Sequence, residues 1–239
     1  MSLSRTTRSD QVARVTNGVE LVATVVDCGR QGGTIVIRTF VAVELPADLK
    51  RAIEQLQEQL KRKLLRELSS EARLQWVRPE AIHLTLKFLG EIEEPRVDEI
   101  RQVLVQRVGA VQEFFVEAGG LGVFPDLRAP RVLWLGLTDL PDRSNALVYL
   151  AGAVEAGLET LGFPRESRPF NPHLTLARVK ERSREVGRAL AGSGVMAMAS
   201  RLGSLPVTTV SLMKSELRPS GAVYTKLWDL SLSSASACP

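Results

Sequence analysis

The sequence predicts an α+β protein with a bilobal, duplicated fold: two mainly antiparallel sheets, flanked by helices, around a central cleft. Three observations carry that expectation. Short β-branched runs mix with segments of helical period, without the strict alternation that builds a parallel sheet. The tetrapeptide His83-Leu84-Thr85-Leu86 returns as His173-Leu174-Thr175-Leu176. The chain has 239 residues, 44% hydrophobic and 24% charged, enough to bury a core shared by two lobes.

Residues 1–35 are polar and irregular and end in Gly29, Gly32 and Gly33. They read as a disordered extension with one weak strand over 20–26. The two-lobed domain is expected over 36–232, with a frayed Ser/Ala-rich tail at 233–239. Residues 35–45 are rich in Val, Ile, Thr and Phe and stop at Pro46, which predicts a strand. Leu49, Ile53, Leu56 and Leu60 then recur at helical spacing, giving a helix to about residue 67. Strands are expected at 74–77 and 82–89, separated by Pro79. Pro95 suits the first turn of a second helix, 95–108. Strands at 114–117 and 132–137 follow, with a glycine-rich turn around 119–122 between them. The second half offers a helix at 144–161, a Pro-containing loop, a strand at 173–179 and a helix at 184–191. Two closing strands are expected at 207–214 and 223–230.

Composition narrows the function classes. The net charge of +4 suits an anionic ligand without demanding nucleic acid. The two cysteines, Cys28 and Cys238, lie near opposite ends and fit neither a disulfide framework nor a clustered zinc site. No run approaches the roughly 20 apolar residues of a membrane span. A cytoplasmic monomer is expected, using no metal and no cofactor. A Gly-x-x-x-x-Gly-Lys-Ser/Thr phosphate loop is lacking, so NTP-driven chemistry is not supported.

The repeated tetrapeptide is the sharpest feature, because its first residues are the only two histidines in the chain. In a strand, residues i and i+2 share a face about 7 Å apart. His83 and Thr85 therefore face one way and Leu84 and Leu86 the other, and the second copy does the same. Lobes that face each other bring two imidazoles and two hydroxyls into one cleft. Imidazole titrates near pH 6.5, so one neutral and one protonated ring can coexist near neutrality. One ring can take a proton from water and the other give one to a departing oxygen, each worth roughly 10²–10⁴-fold. The threonines can donate hydrogen bonds to non-bridging phosphate oxygens.

These residues resemble the two-histidine phosphoesterase superfamily, defined by paired His-x-Thr-x motifs. The nearer resemblance is to the bacterial and archaeal RNA 2′,3′-cyclic phosphodiesterases, also called 2′-5′ RNA ligases. It rests on the segments 38–46 (RTFVAVELP), 76–91 (WVRPEAIHLTLKFLGE), 168–178 (RPFNPHLTLAR), 215–217 (SEL) and 221–224 (GAVY), and it covers about residues 36–232. It implies hydrolysis of an RNA 2′,3′-cyclic phosphate end to a 2′-phosphate, with His83 as proton donor to O3′ and His173 as proton acceptor from water. The residues alone leave the order of those roles open. Thr85 and Thr175 are the implied phosphate ligands. The resemblance adds Arg178, five residues after His173, although strict alternation would turn it away from the cleft unless the strand ends or bulges. Phe40 is a candidate for stacking on a base or ribose. Lys87 has the right parity for the cleft and Arg168 lies on its approach, and both can equally be plain solvated cations. Alternatives are a binding module without turnover, ligation of 2′-5′ linkages at the same site, and cleavage of another cyclic phosphate or oligoadenylate. The paired imidazoles count against the first, and the excess of water against the second.

Overall fold

The protein is described from a computed structural model, which covers residues 35–218 and 221–234. The expected extension at 1–35, its weak strand and both cysteines therefore lie outside the described residues, apart from Ile35. The elements run β1 (Val36–Glu44), α1 (Ala47–Leu64), β2 (Arg73–Trp76), β3 (His83–Glu93), α2 (Arg96–Val108), β4 (Phe114–Phe124), β5 (Val132–Asp139), α3 (Ala146–Glu159), β6 (His173–Glu181), α4 (Ser183–Gly192), β7 (Gly203–Val207), β8 (Thr209–Arg218) and β9 (Gly221–Ser231). No helix among the described residues is long and apolar enough to cross a membrane.

All nine strands join one antiparallel sheet in the order β7-β4-β5-β6-β3-β1-β8-β9, with β2 on β6. The two expected sheets are the two halves of this one. Their order is palindromic about the centre: β9-β8-β1-β3 mirrors β7-β4-β5-β6. In each half a strand (β1, β5) leads through a helix (α1, α3) to a motif strand (β3, β6). The halves meet at a single residue pair, Leu84 opposite Leu174.

One face of the sheet carries the core. Leu84, Leu86, Leu174 and Leu176 pack there with Ile53 and Leu60 of α1, Ile100 and Leu104 of α2, Leu150 and Val154 of α3, and Leu190 of α4. Leu49, Ile53, Leu56 and Leu60 are the stripe read from the sequence, and all four are buried. Each such side chain stabilises the fold by about 1.5–3 kcal/mol. Asp48 in the first turn of α1 and Lys61, Arg62 and Lys63 in its last complement the helix dipole. Helices α1 and α3 each touch the opposite half, α1 on β7 and α3 on β3, which ties the seam from behind.

Three elements differ from the sequence reading. Residues Gly119–Gly122 lie inside β4, where a turn was expected. Gly122 sits beneath Trp134, where a Cβ would overlap the indole, and Gly120 takes φ +71° at a register shift opposite β5. The glycines thus serve close approach and a bulge. Strand β7 went unread because it is short and contains Pro206, which is tolerated because β7 pairs only with β4. The chain also stays hydrogen-bonded as far as Ser233, whose N–H donates to Val111 O at 2.8 Å and whose carbonyl accepts from Glu113 N at 2.9 Å.

Candidate active site

The helix-free side of the seam forms a cleft of about 740 Å³ that is lined by His83, Thr85, His173, Thr175 and Arg178, among others. The pairing of Leu84 with Leu174 explains the convergence. Continued one residue each way, that register sets His83 across from Thr175 and His173 across from Thr85. The two histidines then stand on a diagonal, about 8 Å apart at Cα in an ideal sheet.

Both rings are held alike. His83 Nδ1 lies 2.8 Å from Ala81 O, and His173 Nδ1 lies 2.8 Å from Asn171 O, each carbonyl two residues earlier in the chain. A carbonyl accepts only, so each Nδ1 carries the proton and donates it. In the neutral ring Nε2 is then the free acceptor, a tautomer assigned from this geometry.

The motif strands share one further feature. Leu86 has no partner on β1, where Val41 pairs with Lys87 and Ala42 with Thr85. Leu176 has none on β5, where Leu133 pairs with Ala177 and Trp134 with Thr175. Each copy therefore ends in a bulge at its second leucine, and the alternation restarts there. Two consecutive residues, Leu86-Lys87 and Leu176-Ala177, face the core, and the fifth residue after each histidine returns to the cleft. That position is Phe88 in the first copy and Arg178 in the second. The bulge supplies what strict alternation denied Arg178. It also overturns the expectation for Lys87, which is buried on the helix side with Nζ 2.6 Å from Glu155 Oε1 and 2.8 Å from Pro164 O. Arg168 is exposed and outside the cleft lining.

Surroundings separate the two imidazoles. His83 stacks on Phe40, with centroids 4.6 Å apart at 26°, and meets the edge of Tyr224 at 5.0 Å. Phe40 is only 2% exposed, so one face of its ring is spent on the histidine. Burial pushes the His83 imidazolium down to a pKa of about 4, helped by Arg178 and His173 and opposed by the Ala81 carbonyl and Glu44. His173 instead meets the edge of Phe124 at 5.0 Å and lies 6.3 Å from Trp134. Sequence reasoning left Tyr224, Phe88, Phe124 and Trp134 unassigned, because each gains its place only through cross-strand register. Gln57 was missed too. It is buried on the apolar stripe of α1, and its Nε2 donates to Val77 O at 2.8 Å and to Leu176 O, the bulge carbonyl, at 3.0 Å. Among the described residues no group of three or more His, Cys, Asp or Glu is placed to hold a metal ion.

Comparison with known proteins agrees with this architecture. The family model described as LigT-like phosphoesterase matches residues 43–134 and 139–224. The RNA 2′,3′-cyclic phosphodiesterase of Methanothermobacter thermautotrophicus is 34% identical over 192 residues, 80% of this chain and 96% of that protein. Its namesake from Archaeoglobus fulgidus is 32% identical over 191 residues, 80% of this chain and 98% of that protein. The crystal structure of a Thermus thermophilus protein superposes with a TM-score of 0.63 at 29% identity, covering 82% of this chain and 98% of that one. With its sheet, its paired motifs and a family match spanning both halves, the chain belongs to the LigT-like phosphoesterases.

Proposed function

We propose that this protein hydrolyses RNA 2′,3′-cyclic phosphate ends to 2′-phosphomonoesters by acid–base catalysis with two histidines. The observation that carries this reading is the pair of imidazoles on one cleft, each tied through Nδ1 and each presenting Nε2. The substrate comes from relatives that are named RNA 2′,3′-cyclic phosphodiesterase. Thr85 and Thr175 donate to the non-bridging oxygens, and Arg178 neutralises their charge. His173 Nε2 takes a proton from the attacking water. Its oxygen bonds to phosphorus as the P–O3′ bond breaks, and His83 gives O3′ a proton. Phe40 acts on the substrate through the ring it supports. At pH 7 the free His83 is neutral; the anionic phosphate against it favours the charged form, and its apolar cage then makes the imidazolium a strong donor. Both histidines come from one chain, so a monomer suffices.

The test is turnover of a 2′,3′-cyclic nucleotide in the presence of EDTA, followed by identification of the product. The reading expects a 2′-phosphate, and no turnover would overturn it. The roles are separable with a p-nitrophenyl phosphodiester, whose leaving group needs no proton. That substrate should restore His83→Ala but not His173→Ala, and the opposite pattern reverses the assignment.

A further inference from the structure

The cleft holds more positive charge than one cyclic phosphate requires. Its lining includes Arg38, Arg78, Arg178, Lys180 and Arg218 and not one Asp or Glu. The reacting cyclic diester carries a single negative charge, which Arg178 and an imidazolium already answer. Arg218 is engaged by Glu216 at 2.9 Å. Arg38 and Arg78 make no salt bridge among the described residues; Arg78 only reaches to 3.5 Å of Ala222 O.

The same rim exposes apolar surface. Phe88 is 61% exposed and Leu217 is 73% exposed, and both line the cleft. Phe88 holds the position that Arg178 holds in the other copy, so the duplication has placed an aromatic where its twin has a cation. Arg38 lies on the cleft face of β1 two residues from Phe40, which pairs with Phe88. Leu217 belongs to an arm: β8 last pairs with β1 at Lys214, and Ser215–Arg218 runs on beyond it with β9. An exposed aromatic beside unpaired arginines is how single-stranded nucleic acid is held without reading its sequence.

We infer that the cleft contains a second subsite, in which Arg38 and Arg78 take the phosphodiester 5′ to the terminal nucleoside while Phe88 and Leu217 flank a base. This makes the preferred substrate an oligoribonucleotide end and not a cyclic mononucleotide. The inference rests on the proposed function, and one experiment separates the two. The kcat/KM of the protein is measured on 2′,3′-cyclic AMP and on a triadenylate ending in a 2′,3′-cyclic phosphate, over a salt series. The oligonucleotide should be preferred by tenfold or more at low salt, with a preference that decays as salt rises. Arg38→Ala/Arg78→Ala, two exposed positions, should shrink that preference about tenfold and flatten its salt slope by about 0.7, the value for one phosphate contact on a single strand. Phe88→Ala should shrink the preference without changing the slope. Equal kcat/KM on both substrates, or a preference that falls with Lys180→Ala and survives the arginine pair, overturns the subsite and leaves the proposed function standing. No turnover of either substrate defeats the proposed function itself.

Discussion

The two motif strands are near copies in backbone and unlike in surroundings. Each begins with a histidine tied to the carbonyl two residues back, buries two leucines, bulges at the second and returns its fifth residue to the cleft. What differs is what the neighbouring strands supply. The first copy receives Phe40 and Tyr224 from β1 and β9, the second Phe124 and Trp134 from β4 and β5. Duplication thus sets the geometry of a symmetric pair, and the unduplicated neighbours set the chemistry of each member. Even the bulges are fastened differently: the first by the buried Lys87–Glu155 pair from α3, the second by the Gln57 amide from α1.

The sharpest break in that symmetry is catalytic. His83→Ala and His173→Ala should each lose about 10²–10⁴ in kcat/KM on the cyclic substrate. Similar losses would say that the scaffold alone assigns importance. Removing both should cost much less than the product of the two losses, because the proposed mechanism has both groups acting in one step.

The two fastenings come next. Lys87 is 2% exposed at its side chain, and its partner Glu155 is 17% exposed. Lys87→Met should cost about 3–5 kcal/mol, the usual effect of leaving one charge of a buried pair alone. Gln57→Leu should cost about 1–3 kcal/mol, because Val77 O loses its donor while Leu176 O keeps Val77 N. Urea unfolding of both variants measures the difference. Equal losses would mean that the amide holds the seam as firmly as the ion pair does.

These fastenings also mark where sequence reading stops. The histidines, threonines and leucines were legible because alternation over four residues is a local property. The stripe of α1 was legible for the same reason. The bulges were not, since a bulge is a relation between two strands and neither sequence alone contains it. Alternation alone therefore puts Lys87 on the wrong face, and Arg178 enters only through the family resemblance. Gln57 was invisible because a polar residue on an apolar stripe gains meaning only from the carbonyls above it.

The depressed His83 also ties stability to pH. Unfolded, the imidazole takes up a proton near pH 6.5; folded, it does so only near 4. As pH falls through that window the unfolded state binds more protons, so stability drops by about 3 kcal/mol, all of it gone below about pH 4. His83→Gln should lack this component, as thermal melts at pH 7 and pH 4.5 would reveal. An unchanged pH dependence would mean that His83 is far better solvated than its cage suggests.

The smallest effect isolates the cage from the scaffold. In the proposed mechanism acid and base are both histidines, so kcat/KM depends on the singly protonated pair, and its acid limb follows the lower pKa whichever ring plays the acid. That limb should lie near 4, set by His83. Tyr224→Leu opens the edge of the cage to water and should raise the limb by on the order of one unit, because desolvation is the largest cause of the shift. Phe124→Leu, the matching change beside His173, should leave it in place. If Tyr224→Leu leaves the limb near 4, then Phe40 and the sheet desolvate the ring unaided. The asymmetry would then belong to the motif strand and its immediate neighbour, with the β8–β9 arm contributing nothing to it.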